Sequence, residues 1–135
     1  MAATLALAGL VWFVQVVHYP LFALVGRDAA AAYAAAHGRR TTWVVAPLML
    51  VEAGTALALL LARPAGVSGL LAALGAGLVA VVWLSTALLQ VPRHRVLALG
   101  FDERAHLALV ASNWLRTAAW TARGILVLWM VASAA

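Results

Sequence analysis

Four apolar stretches, each close to 20 residues long, constrain this chain more than any other feature of its sequence. They run over residues 4–25, 43–61, 67–89 and 112–130. A helix needs about 20 mostly apolar residues to cross the hydrocarbon core of a bilayer. The pattern therefore predicts an all-α integral membrane protein. We expect a single transmembrane domain over residues 1–135, folded as an up-down-up-down four-helix bundle in the lipid bilayer.

The composition excludes a water-soluble globule. Hydrophobic residues make up 67% of the chain and charged residues only 10%, whereas soluble domains carry about 25% charged residues. The chain has no cysteine, so disulfides, thiolate metal sites and thiol nucleophiles are ruled out. The first apolar run has no basic residue before it and is longer than the apolar part of a secretory signal. We therefore interpret it as a retained span.

The arginines of the links predict the orientation of the bundle. The net charge of +5 comes from nine basic residues, all arginine, against four acids. Six link arginines fall on one side of the predicted bundle, and only Arg63 falls on the other; the six are Arg27, Arg39, Arg40, Arg93, Arg95 and Arg104. Basic loops mark the cytoplasmic side. We expect both long links in the cytoplasm, both termini outside the cell membrane, and no nucleic-acid partner.

The two long links are predicted to hold short interfacial helices. Residues 27–40, "RDAAAAYAAAHGRR", are rich in alanine, the residue that most favours helix. Residues 91–111 predict either a second interfacial helix or an early start to the fourth span. His37 and His106 lie in these two segments, and they are the weaker candidates for a functional site.

Small residues recur along the third span. Two rows are spaced by four residues: Gly69, Ala73 and Gly77, and Ala72, Ala76 and Ala80. Small side chains at this spacing let helix backbones approach closely in lipid. We interpret the rows as a packing seam within the bundle. A homo-oligomer contact through the Gly69–Ala73–Gly77 face is the alternative.

The fourth span carries a polar face. Its members recur at helical spacing and comprise Asn113, Arg116, Thr117, Trp120, Arg123 and Gly124. Residues at this spacing share one side of a helix, and an unpaired charge in lipid is costly. We therefore expect this face to point into the bundle. Arg123 would lie about 16 Å from the cytoplasmic end of the span, close to the midplane.

Glu52 is the only acid inside any predicted span. It would lie about 15 Å deep in the second span, at the level expected for Arg123. The sequence therefore predicts a buried Glu52–Arg123 ion pair. Arg116 is then left as surplus positive charge, which something anionic would have to balance.

Two further polar clusters occupy the first and third spans. In the first, Gln15 and His18 lie just before Pro20, and proline leaves a backbone carbonyl without its usual donor. The third span places a row on one face at helical spacing, namely Trp83, Thr86, Gln90 and His94. Both clusters head toward the cytoplasmic links, so we expect a polar cavity in that half of the bundle.

Four short motifs carry a resemblance to a known family. They are "VHYPLF", "RRTTWVVAPLMLVE", "QVPRHRVLALGFD" and "NWLRTAAWTARG". The chain resembles, over nearly its whole length, the small four-span membrane proteins of the anthrone oxygenase-like group. That resemblance implies oxidation of anthrone-like compounds to quinones with molecular oxygen. It also implies a site that contains His18, Glu52, His94, Asn113 and Arg116.

Three functions fit these residues. In the first, His18 or Glu52 removes a proton from a lipophilic acidic aromatic substrate, and Arg116 with Asn113 stabilises the anion. The surrounding substrate-binding set would be Gln15, Thr86, Gln90, His94, Thr117, Trp120 and Arg123, and this chemistry requires no cofactor and no metal. In the second, the protein binds haem, a metal ion or a lipophile, with His18 and His94 as ligands. In the third, the protein is a structural or transport subunit whose polar core only fixes helix packing.

Overall fold

The computed structural model describes residues 1–134, and every regular element in that part of the chain is helical. Four helices follow one another: α1 (Ala2–Leu24), α2 (Arg27–Leu61), α3 (Gly69–Leu97) and α4 (Glu103–Ala134). The predicted all-α class is confirmed. By length and composition, α1, α2 and α3 can each cross a membrane. The fourth helix, α4, contains the polar face predicted from the sequence, including Arg116 and Arg123.

The separate interfacial helix predicted for the first link was wrong, whereas for the second link the alternative of an early start to the fourth span is confirmed. Residues 27–40 form the first turns of the unbroken 35-residue α2. Helix α4 likewise starts early, at Glu103, where Asp102 accepts a hydrogen bond from the Ala105 amide at 2.7 Å. Alanine-rich sequence continues a helix once it has begun. At about 1.5 Å per residue, α2 is about 52 Å long, well beyond the hydrocarbon core of about 30 Å.

The helices pack in cyclic order. Helix α1 lies against α2 and α4, and α3 also lies against α2 and α4. One apolar cluster fills the centre with Leu7, Val11, Met49, Val82, Ala119 and Trp120. A second, near the histidines, contains Tyr19, Phe22, Ala34, Leu97 and Leu109. The two clusters lie above one another along the bundle, and the candidate site begins where they meet.

The packing seam of α3 differs from the predicted rows of small residues. Its buried positions between Gly69 and Ser85 are Ala72, Gly75, Val79, Val82 and Ser85. The Gly69–Ala73–Gly77 row is exposed, as is Ala80, and of the second row only Ala72 is fully buried. The seam is set by Gly75, since a Cβ there would lie 2.9 Å from the Arg123 guanidinium. The homo-oligomer contact through the exposed row stays a prediction.

The predicted Glu52–Arg123 pair is confirmed. Arg123 Nε donates to Glu52 Oε1 at 2.9 Å, and the two side chains are 3% and 0% exposed. Trp120 Nε1 donates to the other carboxylate oxygen at 2.9 Å. Arg123 Nη1 also donates to the Gly75 carbonyl at 2.5 Å. This group, the Glu52 clamp, ties α2, α3 and α4 together at one level.

We expect the clamp to dominate the stability of the bundle. Either Glu52→Gln or Arg123→Gln leaves an uncompensated buried charge, which typically costs roughly 3–5 kcal/mol. The double variant should lose clearly less than the sum of the two. Thermal unfolding of the detergent-purified variants measures this coupling, and additive losses would contradict it. Glu103→Gln, which removes an exposed acid from α4, is the matched control and should change little.

Candidate functional site

Two π-helical turns shape the polar half of the bundle. They span Val14–His18 in α1 and Thr86–Gln90 in α3. In each, the amide of the next residue bonds the carbonyl five positions back, and a proline follows that residue. The loss of a backbone hydrogen bond expected from Pro20 is therefore accommodated by a widened turn, and the helix continues through it. Such turns often mark functional sites, because the wider turn redirects the side chains beyond it.

A cavity of about 540 Å³ lies between α2 and α3. It is in the size range of small-molecule sites, about 300–1,000 Å³. Its walls are mostly apolar, and the polar side chains among them are Tyr19, His37, Thr41, Thr42, Thr86, Gln90, His94, Arg95 and Arg116. A neighbouring cavity of about 30 Å³ extends the same space toward Trp120, with room for about one water molecule.

Three histidines and a tyrosine gather at the arginine-rich end of the cavity. His18 Nε2 and His37 Nδ1 share a hydrogen bond of 2.7 Å. The Tyr19 hydroxyl and His94 Nε2 share another at 3.0 Å. The ring of His37 contacts both other imidazoles, with centroid distances of 4.5 Å to His18 and 5.3 Å to His94. The cluster joins α1, α2 and α3 directly beside Arg116.

Arg116 enters the cavity from α4. Its side chain is 8% exposed, and its guanidinium carbon lies 4.9 Å from the centroid of the Trp120 ring. Trp120 itself is fixed by its bond to Glu52. A cation over an aromatic face is stabilised by the ring quadrupole. Within residues 1–134, the only ion pair is Glu52–Arg123, so Arg116 has no carboxylate partner there.

Asn113 positions Arg116 and links it to α1. Its side-chain oxygen accepts from Arg116 Nη1 at 3.3 Å, and its side-chain nitrogen donates to Gln15 Oε1 at 2.8 Å. Gln15 in turn donates to the Val110 carbonyl at 3.2 Å. Both amides are buried. Asn113 thus fixes a guanidinium that also lies against Trp120 and belongs to the lining of the cavity.

Two buried polar atoms at the cavity have no hydrogen-bond partner among residues 1–134. They are His94 Nδ1 and Arg116 Nε. A buried donor or acceptor left unpaired costs about 1–3 kcal/mol, and more when it is charged. A ligand that bonds both atoms would recover this cost. The two atoms come from different helices and belong to side chains that line one cavity.

The structure separates the predicted site residues into two groups. Thr86, Gln90, His94 and Arg116 line the large cavity, and Trp120 lines its small extension. The residues that do not line either cavity are Gln15, His18, Glu52, Asn113, Thr117 and Arg123. Most of them support those that do: His18 bonds His37, Asn113 bonds Arg116, and Glu52 holds Trp120.

Sequence reasoning misses Tyr19 and gives His37 too little weight. The sequence places His37 in a separate interfacial helix, and the unbroken α2 instead carries it into the bundle beside His18. Thr41, one turn later, contacts the same imidazole at 3.2 Å. The signal in the sequence is the pair His37 and Thr41, which are four residues apart and therefore share one face of a helix. Tyr19 adjoins the π-helical turn of α1, which sequence alone does not reveal.

His106, the other weak candidate, has a structural environment. It is buried, and its Nε2 lies 2.8 Å from the Tyr19 carbonyl. That carbonyl belongs to the last turns of α1, where the helix narrows to a 3₁₀ turn over Phe22–Leu24 and ends. The contact therefore anchors the end of α1 to α4.

The donor geometry bears on the haem and metal alternatives. Within the described part of the chain, no set of three or more His, Asp or Glu side chains is arranged to hold a metal ion. His37 contacts the rings of both His18 and His94.

Comparison of the chain with protein-family models, curated proteins and solved structures finds no match. The functional assignment therefore depends on the geometry of the site itself.

Asn113→Ala should loosen the site without destroying the bundle. It removes the acceptor of Arg116 and leaves the buried Gln15 oxygen unpaired, so we expect about 1–3 kcal/mol of lost stability. Thermal unfolding in detergent measures this loss. Ala111→Ser, at an exposed position of the same helix, is the control and should unfold like the wild type. An unchanged unfolding temperature for Asn113→Ala would contradict a stabilising role of the Asn113 contacts with Arg116 and Gln15.

Proposed function

We propose that this protein is a four-span membrane enzyme that binds an acidic, lipophilic aromatic molecule between α2 and α3 and removes a proton from it. The observation that carries the proposal is the pair of unpartnered buried atoms, His94 Nδ1 and Arg116 Nε, on one cavity. A weakly acidic O–H or C–H group suits both atoms. The neutral form meets the imidazole, and the anion meets the guanidinium.

The membrane setting of the site supports this ligand class. His37 and His94 approach each other, and the basic pairs Arg39–Arg40 and Arg93–Arg95 lie within three residues of them. The cavity therefore belongs to the arginine-rich end, which we assign to the cytoplasmic side. Its rim includes exposed Thr42 and Val91. A ligand dissolved in the membrane can therefore enter the cavity laterally from the lipid, through this rim.

His94 is the proton acceptor in the proposed mechanism. With its proton on Nε2, the imidazole donates to the Tyr19 oxygen and keeps a lone pair on Nδ1. That lone pair has no partner among residues 1–134. Tyr19 fixes the ring, much as a third group orients a catalytic histidine elsewhere. His18, favoured from the sequence, acts through His37 in this arrangement, since it does not line the cavity.

Arg116 stabilises the anion. Hydrogen bonds to an ionised group contribute about 1.5–3 kcal/mol, and they are strongest where water is excluded. This guanidinium donates to Asn113 and interacts with the Tyr19 hydroxyl, and arginine offers five N–H donors in all. The planar fork can therefore grip an oxyanion at two points. Glu52 takes no part, because its two oxygens are engaged by Trp120 and Arg123.

Oxidation by molecular oxygen is the proposed second step, in line with the family that the chain resembles. Proton loss from an acidic CH₂ group leaves a carbanion, which forms a C–O bond to O₂ and gives a hydroperoxide after protonation. The hydroperoxide loses its remaining C–H proton and breaks its O–O bond, releasing water. The net change converts CH₂ and O₂ into C=O and H₂O. This chemistry places the demand for charge stabilisation on Arg116.

Ligand binding tests the proposal directly. We expect the purified protein to bind 4-nitro-1-naphthol, whose coloured anion reports ionisation, and to bind 1-methoxy-4-nitronaphthalene weakly. Arg116→Ala should weaken binding of the naphthol roughly 10- to 100-fold. Arg116→Lys should weaken it less but measurably, since lysine lacks the planar fork. Quenching of tryptophan fluorescence measures affinity, because Trp83 lines the cavity.

Matched variants separate binding from proton transfer. Arg104→Ala removes the same charge at an exposed position and should bind like the wild type. His94→Ala should slow oxygen consumption with an anthrone far more than it alters affinity. Equal affinity of the naphthol and its methyl ether, or an unchanged affinity of Arg116→Ala, would leave only the structural function.

The proposed topology can be tested in intact cells, because the chain has no cysteine of its own. Single cysteines at Gly26 and Gly100 should react with an impermeant maleimide only after the membrane is opened. A single cysteine at Ala65 should react in intact cells. A Cβ added at either glycine would have no neighbour within 4 Å, so both replacements fit. Labelling of Gly26→Cys or Gly100→Cys in intact cells would overturn the orientation.

A further inference from the structure

An apolar groove lies beyond the cavity along the same two helices. It has a volume of about 300 Å³ and lies between α2 and α3, on the side of Trp83 away from the histidines. Its lining is entirely apolar: Ala53, Ala56, Leu57, Leu60, Ala76, Val79, Ala80 and Trp83. Four of these eight residues are alanines, and their small side chains leave the room that forms the groove.

Trp83 joins the groove to the cavity, since it lines both. Along α3, the groove occupies the turns before Trp83, and the cavity occupies the turns after it as far as Ala98. Along α2, the cavity ends at Met49 and the groove begins at Ala53, one turn later. The two spaces therefore lie end to end along the same two helices with Trp83 between them, and together they are called the track: polar side chains line its histidine end, and apolar side chains line its other end.

We propose that this track is a single site for an amphiphile with an acidic aromatic head and a linear apolar tail. The head occupies the cavity between His94 and Arg116, and the tail extends past Trp83 into the groove. This inference rests on the proposed function, because the head is the ligand described there. It adds a second requirement for the substrate, namely a hydrocarbon chain of the alkyl or isoprenoid kind.

The direction of the track matches the way such a molecule lies in a bilayer. An amphiphile keeps its polar head at the membrane surface and its tail along the membrane normal. The cavity lies at the arginine-rich end, and the groove leads from it toward the opposite end of the helices. A lipid-dissolved substrate can thus enter from the side without turning over. From Trp83 back to Ala76 the groove accompanies α3 for about 10 Å.

The groove selects by fit rather than by hydrophobic transfer. Surrounding lipid chains are as apolar as its walls, so a tail gains only packing contacts on entering it. Filling the groove with side chains should therefore exclude tailed ligands and spare tailless ones. The alanines at 76 and 80 are suited to this because both line the groove and neither lines the cavity.

The test compares two probes on one groove-filled variant. We expect the double variant Ala76→Leu, Ala80→Leu to bind 4-nitro-1-naphthol within about twofold of wild type, and its 2-octyl derivative about fivefold or more weakly than wild type. The control is Ala73→Leu, Gly77→Leu, which adds side chains to the exposed face of the same helix. It should leave both affinities unchanged.

The outcomes distinguish the two proposals. If the groove-filled variant binds the octyl probe as well as the wild type does, the tail site is wrong and the head site stands. If the wild type binds neither probe, the proposed function itself fails. A diazirine at the end of the octyl chain gives a second readout on the wild-type protein. Crosslinks within Ala53–Leu60 or Ala76–Trp83 support the track, and crosslinks confined to other helices overturn it.

Discussion

The buried Glu52–Arg123 pair is the interaction on which the rest of the structure depends. It joins α2 to α4, and Arg123 continues to the Gly75 carbonyl on α3. Charges this deep are tolerated only when each has a partner, so the pair fixes the vertical register of three helices. Trp120 is held by the same carboxylate and supports the guanidinium of Arg116. Trp120 therefore connects the buried ion pair to Arg116 of the candidate site.

The two π-helical turns explain why polar groups converge at one end of this bundle. In a regular α-helix, residues three and four apart stay on the same face along the whole helix. The extra residue in each π-helical turn rotates the residues that follow it relative to the residues before it. Gln15 and His18 lie within the first turn, and Gln90 closes the second. Ser85 donates to Gln90 at 3.1 Å, and Gln90 reaches Ser112 on α4 at 3.3 Å. The redirected amides thus replace apolar packing with hydrogen bonds between helices.

The sequence predicted the elements that obey helical periodicity and bilayer energetics. The apolar runs, the inward polar face of α4 and the Glu52–Arg123 pair all follow from spacing and from the cost of unpaired charge in lipid. It did not predict the unbroken α2, because an alanine-rich link has the same pattern whether it ends before a span or continues into it. The candidate site depends on two features that the sequence did not predict: the unbroken α2 and the π-helical turn of α1. His37 enters it through the unbroken helix, and Tyr19 enters it beside a π-helical turn.

The balance of buried charges indicates which kind of ligand would suit the site. Glu52 is the only acid inside the predicted spans, and it is fully used by Arg123 and Trp120. Arg116 cannot lose its charge as a buried lysine can. A permanent cation that lines the same cavity as an imidazole with an unpartnered nitrogen is suited, under the proposed function, to a ligand whose own charge appears only after it has given up a proton.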